Sequence, residues 1–130
     1  MPASGFYEWK REGRAKTPHL IRRISEPIFA MAGIGHRWRG PEGIINTIAI
    51  LTIDPAGALG DLHDRMPVIL DRSSYARWLD PTASRHEIES LFKPLPAQSL
   101  SITKVSDRIN RVAHDDPSCE TPAVEQTTLF

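Results

Sequence analysis

The chain has 130 residues, enough to bury one core and too few for two ordinary domains. Lysine plus arginine and aspartate plus glutamate number 16 each, so no net field singles out a partner, and any anion site must come from local clustering. No apolar run could span a bilayer, no secretory leader opens the chain, and the single cysteine, Cys119, excludes an internal disulfide framework, so we expect a soluble cytoplasmic protein.

Eleven prolines predict short elements separated by sharp turns. Pro2-Ala3-Ser4-Gly5 delivers into Phe6-Tyr7-Glu8-Trp9, whose aromatics favour a strand with Phe6 and Glu8 on one face and Tyr7 and Trp9 on the other. Glu8 is then either solvent-facing or a carboxylate held against apolar surface, and the second placement would raise its pKa and suit it to acid-base work. Lys10 to Lys16 reads as a polar hairpin tip containing Gly13, and His19 to Ile24 as the return strand. Ile28 to Ile34 reads as a central strand. Its continuation, Gly35-His36-Arg37-Trp38-Arg39-Gly40, interleaves cations with an indole. Such a stretch is either a solvated loop with Trp38 folded onto the core, or a site where bases stack on the ring while cations track phosphate.

Asn46 to Ile53 is the clearest strand. Asp54-Pro55 suits the start of a helix of about two turns, Asp54 at its N-cap. Leu62-His63-Asp64-Arg65 then stands at the mouth of an apolar strand, Met66 to Leu70, opened by Pro67. Groups held at the end of a rigid element are well placed for chemistry. The plainer alternative pairs Asp64 with Arg65 and leaves His63 capping a loop. Further on, Asp71 or Ser73 can cap Tyr75 to Leu79, and Ser84 begins a helix through Lys93 that Pro94 ends. Leu100 to Ser106 alternates as a half-buried strand, Asn110 is suited to brace a loop, and a mobile tail is expected beyond Pro117.

Taken together, Pro2-Ala3-Ser4-Gly5-Phe6-Tyr7-Glu8-Trp9, Ala30-Met31-Ala32-Gly33-Ile34, Trp38-Arg39, Ile50-Leu51-Thr52, His63 to Leu70, Trp78-Leu79 and Val105-Ser106 with Asn110 resemble the SOS response-associated peptidase (SRAP) family of abasic-site processing proteins. The resemblance implies an α+β domain over residues 1–117, with a barrel-like antiparallel sheet and peripheral helices, and a flexible tail over 118–130. It implies binding of single-stranded DNA and covalent trapping of abasic sites, with no cofactor and no metal. In that chemistry a cysteine exposed by autocatalytic loss of the initiator methionine condenses its α-amine with the ring-opened sugar aldehyde, and its thiol closes the imine to a thiazolidine. By the same resemblance Glu8 and His63 are the catalytic pair, and Trp9, Thr52 and Arg65 contact DNA. Trp38 and Arg39 join the DNA set through the stacking reading above.

The family carries a segment ahead of the Gly5-to-Trp9 motif that contains the nucleophilic cysteine, whereas this sequence opens Met1-Pro2-Ala3. Pro2 offers no thiol for ring closure, and Cys119 supplies no α-amine. We therefore expect the acid-base half of the site without its nucleophile and with the leading strands of the sheet missing. Three origins fit: an incomplete gene product, a partner of a second chain that supplies the segment, or a paralogue that binds without reacting. Unpaired edges would make such a monomer weakly stable or self-associating. A non-catalytic single-stranded-DNA-binding module is the rival reading, and a metal hydrolase on His63, Asp64 and Glu8 is a poorly supported third, because the other histidines lack ligand spacing. The ending Gln126-Thr127-Thr128-Leu129-Phe130 resembles peptides that dock on the bacterial sliding clamp through Gln126, Leu129 and Phe130.

Overall fold

Residues 1–123 are described by a computed structural model. The candidate clamp peptide with Gln126, Leu129 and Phe130 lies outside them. Strands β2 (Phe6–Glu12) and β3 (Ala15–Arg23) form a hairpin whose last pair is Glu12 with Ala15, so the polar tip contracts to the two residues Gly13-Arg14. Gly13 takes φ 63°, a left-handed value that glycine adopts without strain and that fits a tight loop to the twist of its strands. On the far side of β3 lies β10 (Leu100–Lys104), paired antiparallel from Leu100 with Arg23 to Lys104 with His19. The order β10–β3–β2 leaves β2 at the sheet edge.

The other strands are β1 (Pro2–Ala3), β4 (Phe29–Met31), β5 (Gly33–Gly40), β6 (Gly43–Ile50), β7 (Thr52–Ile53), β8 (Met66–Pro67) and β9 (Ile69–Leu70). They make a sheet ordered β1–β4–β9 and two two-stranded ladders, β5–β6 and β7–β8. Two short helices, α1 (Tyr75–Trp78) and α2 (Arg85–Glu89), complete an α+β fold dominated by antiparallel pairing. Three runs of chain exchange partners at single residues: Ala32 between β4 and β5, Leu51 between β6 and β7, Val68 between β8 and β9. The Ala32 amide donates to the Val68 carbonyl (2.8 Å), the Val68 amide to Leu51 (2.9 Å) and the Leu51 amide to Ala32 (3.0 Å), closing a triangle. Each backbone group at the exchange point is thus paired, which its burial demands.

The main core gathers Ile21, Phe29, Met31, Leu59, Met66, Ile69, Leu95 and Leu100, and a second cluster forms around Ala32, Val68 and Leu70 against Tyr75, Trp78, Leu91 and Phe92. The run Met66 to Leu70 is wholly buried, which is what fixes the residues just before it.

Several local expectations give way. The helix expected at Asp54 is a 3₁₀ turn, Gly57–Asp61, preceded by Ala56, because Asp54 turns its carboxylate to Arg65 and two glycines weaken helical propensity there. The strand expected over Ile28 to Ile34 divides at Ala32. Gly35 to Gly40 is neither loop nor folded onto the core: it belongs to the β5–β6 hairpin, where both faces stand in solvent, with Ile34 56% and Ile48 55% exposed. The helix begun at Ser84 ends at Glu89, short of Lys93, whose helical conformation Pro94 disfavours. Of residues 118–123, Cys119 is buried and the others are exposed or half-buried. Pro117–Glu120 form a 3₁₀ turn that buries Cys119, and the Ala123 amide donates to the Lys104 carbonyl.

Candidate active site

A cleft of about 620 Å³ opens along the free edge of β2, lined by Glu8, Trp9, Arg11, Arg14, Lys16, His63 and Asn110. An adjoining hollow shares Trp9, Arg11 and His63 and continues to Gly60, Asp61, Leu62 and Asp64. Because β2 is an edge strand, residues of both its faces reach the cleft, so Glu8 and Trp9 meet there despite their alternation. Glu8 and His63, far apart in sequence, thus face one space.

Glu8 is half-buried. Burial is the largest influence on its carboxyl and raises its pKa, with Asp64 adding to the rise, while His63 and the Trp9 amide work the other way. Glu8 falls between the two placements left open for it: half-buried, it still faces the open cleft while burial raises its pKa.

The ring of His63 is fixed through Nδ1. The Arg65 amide lies 3.1 Å from it, and the Asp64 carboxylate and the Arg65 carbonyl each lie 3.2 Å away. An amide N–H can only donate, so a neutral ring accepts at Nδ1 and carries its proton on Nε2. A charged ring directs Nδ1–H to Asp64 or to the carbonyl and still carries a proton on Nε2. In both forms Nε2 is a donor, and among the described residues no hydrogen-bond partner occupies it.

Asp64 and Arg65 do not pair with each other. The Arg65 guanidinium reaches across to β7, where Nε donates to Thr52 Oγ1 (3.2 Å), Nη2 to the Thr52 carbonyl, and Nη1 to Asp54 Oδ1 (2.6 Å). Thr52 and Arg65 are therefore together, outside the cleft that Glu8 and His63 line. Trp38 and Arg39 are also outside it. They alternate on β5 onto opposite faces of the hairpin, and the Trp38 indole covers Gly40 so closely that a Cβ there would lie 2.2 Å from the ring.

The indole N–H of Trp9 donates to Asn110 Oδ1 at 2.7 Å, which makes Asn110 the bracing amide its sequence position suggested. Sequence reasoning missed Arg11, Arg14 and Lys16 as cleft residues. Reading Gly13-Arg14 as a two-residue loop would have set Arg11 opposite Lys16, on the face of Trp9. Among the described residues no group of three or more His, Cys, Asp or Glu side chains is arranged to hold a metal ion, and no helix is long and apolar enough to cross a membrane.

The family model for SOS response associated peptidase (SRAP) matches residues 1–112. Abasic site processing protein YoqW of Bacillus subtilis is 37% identical over 120 residues, covering 90% of this chain and 54% of that protein. Abasic site processing protein HMCES of Gallus gallus is 31% identical over 142 residues, covering 92% of this chain and 42% of that protein. A crystal structure of a Bacteroides thetaiotaomicron protein superposes with TM-score 0.88 at 32% identity, covering 95% of this chain and 56% of that one. The chain spans about half the length of the curated relatives it matches. By family match, identity and fold together, the chain belongs to the SOS response associated peptidase family.

Proposed function

We propose that the Glu8–His63 cleft receives the ring-opened sugar of an abasic site in single-stranded DNA and carries the proton transfers by which an amine condenses with its aldehyde. The observation that supports this most is the convergence of a carboxylate of raised pKa and an imidazole with a free Nε2–H on one open space. The printed names of the relatives, abasic site processing proteins, point the same way.

Roles follow from the hydrogen bonds. The amine nitrogen adds to the aldehyde carbon and loses a proton to Glu8, whose raised pKa makes it a stronger base than an ordinary carboxylate. Charged His63 gives its Nε2 proton to the departing hydroxyl, which leaves as water; the ring is left with its proton on Nδ1, facing Asp64 and the Arg65 carbonyl, and proton exchange with solvent restores the resting Nε2–H form that accepts from the Arg65 amide. The imine so formed is attacked by a thiol to close a thiazolidine. None of residues 1–130 matches the cysteine that the resemblance assigns as amine and thiol, so these residues carry the acid-base part of the reaction. Arg65, Thr52 and Trp9 contact the DNA, Trp38 and Arg39 extend that contact along the hairpin, and the work takes place in the cytoplasm at the nucleoid. Docking on the sliding clamp through Leu129 and Phe130 is tested by clamp recovery with and without those two residues. Equal recovery rejects it.

Free cysteine supplies both missing groups, which gives a direct test. The intact chain should accelerate thiazolidine formation between cysteine and an abasic oligonucleotide, and Glu8→Gln or His63→Gln should each cut the acceleration by roughly 100-fold, the ordinary worth of a general acid or base. Salt-sensitive, reversible binding with no acceleration would instead establish the binding-module reading.

A further inference from the structure

The β2–β3 hairpin sorts its charges by face. On one side Lys10 and Glu12 form an ion pair at 2.9 Å and cancel. On the other, Arg11 stands directly opposite Lys16, and Arg14 follows in the loop, all three exposed and all lining the cleft. Among the described residues no carboxylate lies within ion-pairing distance of any of the three, although the chain as a whole carries equal numbers of acids and bases. Like charges facing each other across an antiparallel pair are destabilising, so the fold gains nothing from this pairing. An anionic ligand would.

We infer that Arg11, Arg14 and Lys16 form a phosphate-holding rail for the backbone of single-stranded DNA, separate from the reacting pair. Trp9 points to the same face as Arg11, two residues and about 7 Å away along the strand. A ring and a cation at that spacing hold a base and a nearby phosphate, the combination that sequence-tolerant single-strand sites use. Asp61 and Asp64 border the hollow beyond His63, so positive potential is concentrated at the hairpin tip and the backbone is drawn along β2 and β3. This inference rests on the reading of the cleft as a single-stranded DNA site.

The test is the salt dependence of binding an unmodified oligothymidylate, followed by fluorescence anisotropy from about 50 to 200 mM salt. Each phosphate that is no longer neutralised lowers the log–log slope by about 0.7 for a single strand, so Arg11→Gln/Arg14→Gln/Lys16→Gln should lower it by about 2. Lys10→Gln/Glu12→Gln, which neutralises the balanced pair on the opposite face, should leave the slope at the wild-type value. All three cations are exposed and outside the core, and circular dichroism melts verify folding. A triple variant with the wild-type slope overturns the rail while sparing the DNA reading. A slope lowered as much by the Lys10/Glu12 double variant also overturns the rail, since the effect would then lack a face. Absence of salt-dependent binding by the unaltered chain overturns both the rail and the DNA reading.

Discussion

Glu8 illustrates how a single residue trades stability for chemistry. Its carboxyl is raised mainly by burial, so folding makes its charged form less favourable than it is in the unfolded chain. A group whose pKa is higher folded than unfolded contributes stability below its unfolded pKa and forfeits it as pH rises through the folded value. Replacing Glu8 by Gln should therefore raise the melting temperature near neutral pH, and the gain should vanish below the ordinary carboxylate range. Thermal melts across that pH series check the sign. Arg65 shows a different economy, since Asp54 and Thr52 occupy the donors that a phosphate would use. With the competing carboxylate gone, Asp54→Asn should bind single-stranded DNA several-fold more tightly at low salt, as read by anisotropy; weaker binding would mean that Asp54 holds Arg65 in its working position. That Glu8 and His63 would face one space was anticipated from the family resemblance, but the partner of Asp54 was not. An ion pair between an acid after β7 and a base before β8 depends on how the loop between them closes, which spacing along the chain does not reveal.

At the scale of elements, local rules transferred well where the causes were local. The Ser84–Glu87 spacing suits a capping box, and both of its bonds are made: Ser84 Oγ accepts from the Glu87 amide at 3.3 Å, and Glu87 Oε2 accepts from the Ser84 amide at 2.8 Å. Helix α2 has only five residues, so its cap carries an unusual share of its stability. Ser84→Ala should cost about 1 kcal/mol and lower the melting temperature by roughly 4 °C, measured by circular dichroism. The hairpin turn at Gly13 was likewise readable, though not its brevity. By contrast, the breaks at Ala32, Leu51 and Val68 leave almost no trace in composition, because each falls inside a run of good strand formers. What interrupts these strands is a change of neighbour, and neighbours are chosen by the rest of the chain. The placement of Trp38 is illegible for a related reason. Its ring rests over Gly40, a position made available only by the absence of a side chain two residues on.

For the molecule as a whole, the triangle of Ala32, Leu51 and Val68 ties three ladders into one unit. Ala32 and Val68 are fully buried, and their amides, with that of Leu51, open only if the ladders part. The three amides should therefore exchange with solvent at a common free energy, equal to that of global unfolding in native-state hydrogen exchange. Earlier exchange at any one of them would show that its ladder detaches independently. Away from this centre the β5–β6 hairpin leaves Ile34, Trp38 and Ile45 exposed on one face and Ile48 on the other. The same triangle also governs kinetics. None of its bonds joins near neighbours in sequence, so two loops must close before all three sides are satisfied, and that entropy is spent before the full reward arrives. We expect the slow step of refolding to be the meeting of these three segments, with the β2–β3 hairpin, built from adjacent sequence, already formed when it occurs, as pulse-labelling hydrogen exchange would show.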